Sequence, residues 1–350
     1  MDRTGHAGGV VLLYVLSMVG VLLAAGLSAL VCWRARSLGV WLGVLDKPDG
    51  RRKLHARVTP LVGGVAVMLP TLLMAAIMAA FTDFARFYVA LLAAGAGALI
   101  MGFIDDRRHI SPTLRLAVSL ALALAVLLGV PALQVDFLSF TFSRHALFLG
   151  AMGLPFTIVC IVGLLNAVNM ADGQNGIVSS MSIAWCLQMM LFAPEHMQPL
   201  LLTLLVALAV QLAFNLQGRL FLGDSGSYAI SFVVALLAVH VYGVAFVRLP
   251  ADLVALWFLI PVVDCLRVMG RRIVVGRSPF SSDRRHLHHL IAARLPWRLG
   301  LPAYLCIVSA PGLAASFLPQ TTALWAVVSL SLYALALAWP ERVRLGATLR

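Results

Sequence analysis

Apolar residues along this chain fall in long unbroken runs, separated by short stretches that hold nearly all the charge. Eleven runs are discernible, at approximately 10–33, 61–81, 84–104, 114–130, 146–165, 176–193, 199–216, 226–247, 252–269, 300–318 and 321–339. Most approach the roughly 20 residues an α-helix needs to cross a hydrocarbon layer about 30 Å thick. Polar residues interrupt the fifth and sixth runs. Helices are the expected element, because in lipid each backbone N–H and C=O must be paired within its own segment. The pattern predicts an all-α fold: a polytopic integral membrane helical bundle of about eleven transmembrane helices. The first run is too long for a signal peptide and no clear small-residue cleavage site follows it, so it is read as a span. From Gln134 to Phe142 apolar and polar residues alternate, the period of a short external hairpin.

Composition agrees with the pattern. The chain is 61% hydrophobic and only 11% charged, against about 25% charged in soluble domains. One water-soluble core is excluded. No repeat or linker divides the chain, so residues 1–350 read as one membrane domain with its motifs between 46 and 290. Cys32, Cys160, Cys186, Cys265 and Cys306 are scattered without CxxC spacing and predict neither a disulfide nor a zinc site.

Charge sets the orientation. The odd-numbered loops and the C-terminal tail hold 22 of the 26 Lys and Arg; the other side keeps Arg3, Arg86, Arg144 and Arg248. Lys and Arg gather on the cytoplasmic side, which predicts an outside N-terminus and an inside C-terminus. The net charge of +12 comes without any base-reading module, so no nucleic-acid partner is expected. Arginines along one membrane face suit anionic lipid headgroups or a phosphorylated substrate.

The few acids gather on that same side. Asp105 and Asp106 directly follow the apolar run Ala98–Ile104. Adjacent carboxylates repel, and a divalent cation relieves this; Mg²⁺ takes a few carboxylates and completes its shell with water and substrate phosphates. Solvated charges ending a helix are the alternative. Asn166, Asn169 and Asp172 recur at i, i+3 and i+6, which places them roughly on one helix face, and Gly173 and Gly176 then allow a turn close to a ligand. A polar cap would need fewer such groups. Gly223-Asp224-Ser225-Gly226 opens the eighth run, where free N–H groups suit a phosphate, Asp224 could hold a metal, or Asp and Ser could simply cap the helix. The last large loop carries Asp283-Arg284-Arg285-His286-Leu287-His288-His289. Its arginines suit phosphate oxygens, its histidines lack the further ligands of a zinc site, and a lipid-binding patch is the plainer reading. In the first loop, Gly63-Gly64 at a span start points to close packing.

Taken in order, Asp46-x-Pro48, Arg52-Lys53-x-His55, Pro60-x-x-Gly63-Gly64, Asp105-Asp106, Asn166-x-x-Asn169-x-x-Asp172-Gly173, Gly223-Asp224-Ser225-Gly226 and His286-x-His288-His289 resemble the motifs of the polyprenyl-phosphate N-acetylhexosamine-1-phosphate transferases of glycosyltransferase family 4. The resemblance implies transfer of a sugar-1-phosphate from a UDP-N-acetylhexosamine, by default UDP-GlcNAc, to undecaprenyl phosphate. UMP would be released, Mg²⁺ (or Mn²⁺ in its place) would be the cofactor, and the reaction would be the first step of a surface polysaccharide such as O-antigen. It implies catalytic Asp105, Asp106 and Asp172, with Asp105 or Asp106 orienting the lipid phosphate or taking its residual proton. Asp224 and Asn169 would bind the metal. Lys53, Arg115, Asn166, Asn175, Arg284, Arg285, His286, His288 and His289 would contact the substrates. It also implies a homodimer among membrane lipids, in the bacterial inner membrane with a cytoplasmic site. Two positions depart from the family pattern: His109 where a third acid often follows the aspartate pair, and Asn175 where a further Asp is frequent. Both bear on which sugar is used, and another UDP-N-acetyl sugar, such as a 6-deoxy one, is the alternative donor. A secondary transporter would instead place acids at the midplane with repeat symmetry, and a non-catalytic lipid-binding scaffold would release no UMP.

Overall fold

The computed structural model describes residues 3–47, 58–281 and 283–339. Fourteen α-helices, four short 3₁₀ turns and two antiparallel strand pairs lie among the described residues. The helices are α1 (Arg3–Trp33), α2 (Ala35–Leu42), α3 (Gly63–Phe81), α4 (Ala85–Arg108), α5 (Pro112–Gly129), α6 (Gly153–Ala171), α7 (Ile177–Met190), α8 (Gln198–Leu216), α9 (Gly223–Ala245), α10 (Ala251–Val274), α11 (Leu287–Arg294), α12 (Trp297–Val308), α13 (Ala310–Phe317) and α14 (Thr322–Ala338). Strand β1 (Leu45–Asp46) pairs antiparallel with β2 (Thr59–Pro60), and β3 (Phe137–Phe140) pairs antiparallel with β4 (Ser143–Phe148).

Each of the eleven apolar runs corresponds to a helix or a bent helix pair. Nine helices among the described residues are long and apolar enough to span a membrane, and α12 with α13, bent by 43°, makes a tenth. The remaining run is α7, whose 14 residues reach about 21 Å at 1.5 Å per residue. The fifth run starts later than its apolarity suggested. Ala146, Leu147 and Phe148 belong to β4, with Phe137 opposite Phe148, so the helical part begins near Gly150 and extends to Ala171.

Helices α3, α4, α6 and α7 surround α9, which is buried along most of its length. Glycine makes the closest of these approaches possible. The N–H groups of Gly63 and Gly64 donate to the carbonyls of Phe221 and Leu222 at 3.0 and 2.9 Å. A Cβ on Gly64 would lie 2.5 Å from Gly226 Cα, which is the close packing the glycine pair implied.

Pro70 inside α3, Pro261 inside α10 and Pro311 at the start of α13 each free a carbonyl one turn back because proline has no N–H. A side chain from another helix takes each of these carbonyls. Ser28 of α1 donates to Ala66 O at 2.7 Å, opposite Pro70. Trp185 of α7 donates to Trp257 O at 2.8 Å, opposite Pro261. Ser329 of α14 donates to Ile307 O at 2.9 Å, opposite Pro311 at the α12–α13 break. In a hydrocarbon setting an unpaired carbonyl is costly, so these bonds stabilise the bends where they occur.

The five cysteines are free. At one end of the bundle the β3–β4 hairpin is held by Tyr242, which accepts from Ser139 N at 2.9 Å, and by Asp252, which accepts from Thr141 N at 3.0 Å. The opposite end carries Asp105, Asp106, Asp172, Asp224 and the described basic loops.

Candidate active site

Asp105 and Asp106 close α4 and face different partners. Asp105 is buried; it accepts from Ile110 N at 2.9 Å and pairs with the Arg115 guanidinium at 2.7 Å. Asp106 crosses to α9, where its two oxygens accept the N–H groups of Asp224 and Ser225 at 2.8 and 3.0 Å. A carboxylate suits a helix N-terminus because free N–H groups and partial positive charge meet there. Those two donors are thus occupied by Asp106, and the open phosphate cradle that Gly223–Gly226 suggested is closed at these positions. Gly223 has φ +77°, and a Cβ on it would stand 2.7 Å from Asp106 Oδ2.

Asp224 lies in the first turn of α9. Asn169, in the last turn of α6, donates through Nδ2 to Asp224 Oδ1 at 2.6 Å and to Ser227 Oγ at 2.9 Å, while its own Oδ1 accepts from Tyr228 OH at 3.2 Å. Asn169 therefore orients Asp224, and its amide oxygen keeps one lone pair for a further ligand. The helix stops at Ala171, so Asp172 sits at the cap and not on the helix face with Asn169. Asn166 turns back on its own helix, donating to Val162 O at 2.8 Å.

The other three aspartates interact electrostatically with Asp224: Asp105 acts on it, and it acts on both Asp106 and Asp172. The half-buried Asp172 carboxyl is pushed up to about 8 by burial and by the charges of Asp224 and Asp106. Its proton is thus held more tightly in the folded protein than in the unfolded chain, where 3.8 is ordinary. Stability conferred by that protonated form is lost as pH rises from 3.8 towards about 8. In EDTA the melting temperature should fall across this window, and Asp172→Asn should flatten the slope. An unchanged slope in that variant would show that Asp172 is not the titrating group.

No three His, Cys, Asp or Glu side chains among the described residues form a preformed metal cage. Mg²⁺ does not require one, since it is commonly held by one or two carboxylates together with substrate phosphates. The crowded aspartates and the oriented Asp224 fit such an ion.

The histidine motif comes to the same end of the bundle but is more enclosed than its polarity suggested. His286 and His288 are buried and stack with ring centroids 5.7 Å apart. A Cβ on Gly173 would collide with His288 Nε2, so the start of α11 packs directly on the residue after Asp172. Burial holds His288 well below its usual range, and burial with the charges of His286 and Arg284 holds His289 at about 4. Both are neutral rings near pH 7. The side chains of Arg284 and Arg285 are exposed. Asn175 contributes its backbone, accepting from Trp297 Nε1 at 2.7 Å. His109 is exposed and ends α4 at φ +50°, a conformation His tolerates better than most residues, with its N–H on Asp105 O. Lys53 lies outside the described residues, as do Pro48, Arg52 and His55.

Sequence reasoning missed Asp264, Arg267 and Tyr333, a buried polar hub behind the histidines. Asp264 was visible as an acid near a span end, but nothing local pointed to Tyr333, 69 residues away.

A polytopic helical membrane protein with clustered carboxylates at its helix ends, flanked by arginines, has the parts of a membrane-embedded phosphoryl-transfer site. Residues 88–242 match the family described as Glycosyl transferase family 4. The undecaprenyl-phosphate alpha-N-acetylglucosaminyl 1-phosphate transferase of Salmonella typhi is 32% identical over 269 residues, covering 73% of this chain and 71% of that protein. The protein of the same name from Escherichia coli K12 is 31% identical with the same coverage. A probable undecaprenyl-phosphate N-acetylglucosaminyl 1-phosphate transferase of Bacillus subtilis is 25% identical over 81% of this chain and 77% of its own length. The chain belongs to glycosyl transferase family 4.

Proposed function

We propose that this protein transfers N-acetylglucosamine-1-phosphate from UDP-GlcNAc to undecaprenyl phosphate and releases UMP. The observation that carries the reading is Asp224, held by Asn169 at the start of α9 and surrounded by Asp105, Asp106 and Asp172, with Arg115 beside them. The names of the relatives support the donor and the acceptor.

In the reaction an oxygen of the lipid phosphate attacks the sugar-bearing phosphorus of the donor. The bond from that phosphorus to the bridging oxygen breaks, and UMP leaves with the bond pair. Several negative charges meet, so positioning and charge stabilisation are the main tasks of the protein. Asp224 would hold a divalent cation, Mg²⁺ by preference, with Asn169 beside it; such an ion supplies positive charge to phosphate oxygens. Arg115 lies within reach of the same region and Asp105 fixes its guanidinium. Asp106 holds α9 in register through two backbone N–H groups.

A phosphate monoester has its second pKa near 6, so the acceptor arrives mostly as a dianion and needs no strong base. Asp105 and Asp106 are engaged by other groups. Asp172, which makes no side-chain hydrogen bond to the described residues, would be the carboxylate left to receive any residual proton once a cation at Asp224 has offset the charges that hold its own proton. Arg284, Arg285 and His289 line the donor side, with Lys53, Asn166 and Asn175 as further contacts. The basic end of the bundle faces the cytoplasm, with the N-terminus outside and the C-terminus inside, in the inner membrane of a bacterium. The product opens a surface polysaccharide such as O-antigen, and the protein works as a homodimer.

Purified protein in detergent with undecaprenyl phosphate and Mg²⁺, offered labelled UDP-GlcNAc, UDP-GalNAc and a 6-deoxy analogue, should release UMP from UDP-GlcNAc, and EDTA should stop it. Release from another donor alone would reassign the sugar and draw attention to Asn175 and His109. No UMP from folded protein, with solute flux across sealed vesicles, would sink the transferase reading in favour of a transporter.

A further inference from the structure

Behind the histidine motif lies a carboxylate that touches neither Asp224 nor its neighbours. Asp264 on α10 is buried, and its two oxygens meet four groups. Oδ1 accepts from Arg267 Nη2 at 2.7 Å and from Tyr333 OH at 2.8 Å. Oδ2 lies 2.8 Å from His286 Nδ1 and accepts from Leu287 N at 3.2 Å. Arg267 completes the hub, donating to Tyr333 OH and to Arg285 O, both at 2.6 Å. One side chain therefore ties α10 to α14 and to the start of α11. All three of Asp264, His286 and Tyr333 lie beyond the stretch 88–242 that matches the family.

The consequence runs toward the donor side. With Nδ1 of His286 turned to the carboxylate, Nε2 is the ring nitrogen left to face other groups. The bond to Leu287 N sets where α11 begins. His286 stacks on His288, and His288 presses on Gly173, next to Asp172. The loop carrying Arg284 and Arg285 is thereby held at a set distance from the aspartates. A buried carboxylate with every donor matched is a precise support, because loss of one partner leaves the others stranded in a dry site.

We propose that Asp264, together with Tyr333 on α14, is a positioning residue for the nucleotide-sugar donor, acting through His286 and the start of α11. The proposal rests on the transferase reading for its substrate. On that reading the lipid phosphate meets Asp224, Arg115 and their neighbours on α4, α5 and α9, and none of the hub's hydrogen bonds reaches these helices, so the two substrates should respond differently.

The test measures kcat, KM for UDP-GlcNAc, KM for undecaprenyl phosphate and the affinity for UDP by calorimetry. Wild type, Tyr333→Phe, Asp264→Asn, His286→Gln and the double variant Asp264→Asn with His286→Gln are compared in detergent. By analogy with residues that orient ligand-binding histidines, Asp264→Asn should raise donor KM and UDP Kd by about tenfold or more. Tyr333→Phe, which removes a single hydroxyl and should fold, moves both in the same direction by about threefold, with lipid KM within about twofold. The double variant should be no worse than the poorer single variant, because the two residues act as one unit. UDP affinity unchanged in Tyr333→Phe and Asp264→Asn, or donor and lipid KM rising together, or effects that multiply in the double variant, would overturn the assignment. If Asp264→Asn fails to fold, Tyr333→Phe decides alone. Wild-type protein that binds UDP but releases no UMP would sink the reaction and leave the positioning role to be judged from the UDP affinities.

Discussion

Asp224→Asn should lower turnover by about 10²–10³-fold or more while leaving the protein at least as stable as wild type in EDTA. The two effects have opposite signs for one physical reason. Asn keeps the size of Asp and an oxygen that can accept from Asn169, now 2.6 Å away. It removes the charge at the point where Asp105, Asp106 and Asp172 converge. Without a cation that charge only repels its neighbours, so its loss relieves strain; with substrate and cation it is the group that the charges of the reaction need. The Asp172 carboxyl, held at about 8 partly by Asp224, should return toward its ordinary range in this variant. Turnover within tenfold of wild type, measured as UMP release at saturating Mg²⁺, would remove Asp224 from the centre of the site. A large fall in melting temperature in EDTA would show that its role is structural.

Gly102→Ala should be the most damaging small substitution in the described residues of α4. A Cβ there would stand 2.5 Å from Asp224 C and from Ser225 Cα. Both are backbone atoms at the start of a buried helix, so no side chain can rotate away. Helix α4 would have to move off α9, and the two bonds from Asp106 to the N–H groups of Asp224 and Ser225 would lengthen with it. Overpacking of this kind costs about 1–3 kcal/mol and sometimes more, and backbone against backbone belongs at the upper end. Folded yield and turnover should both collapse. Gly97→Ala on the same helix is the control: the three atoms nearest its Cβ would all belong to Leu122, with Cδ2 at 2.8 Å, and that side chain can change rotamer. Equal tolerance of the two substitutions would mean that α4 and α9 are not held together as described.

The helical spans were legible in the chain because lipid imposes a length and a composition on each of them. So was the gathering of Asp105, Asp106, Asp172 and Asp224 at one end, since alternating spans return every second loop to the same side. The hairpin was foreshadowed by its alternation, though its second strand took residues that looked like the start of a span, because Ala146-Leu147-Phe148 is equally apolar in either element. What each aspartate does was not legible. Asp105 and Asp106 are adjacent and identical in type, yet one holds Arg115 and the other caps a helix 118 residues later. Asp172 reads as a third residue on a helix face, but α6 ends one position too soon.

By itself, then, the order of residues determined that this is a polytopic helical membrane protein and which residues share the acidic, arginine-flanked end, because hydrophobic length and charge are local properties summed along the chain. Only the tertiary structure decided the partners: Ser28, Trp185 and Ser329 on the carbonyls that prolines set free, Asp106 on α9, Asn169 on Asp224, and Tyr333 with Asp264 behind the histidines. These pairings join side chains on different helices, and their stability depends on distance and burial in three dimensions, which no periodicity along one helix encodes.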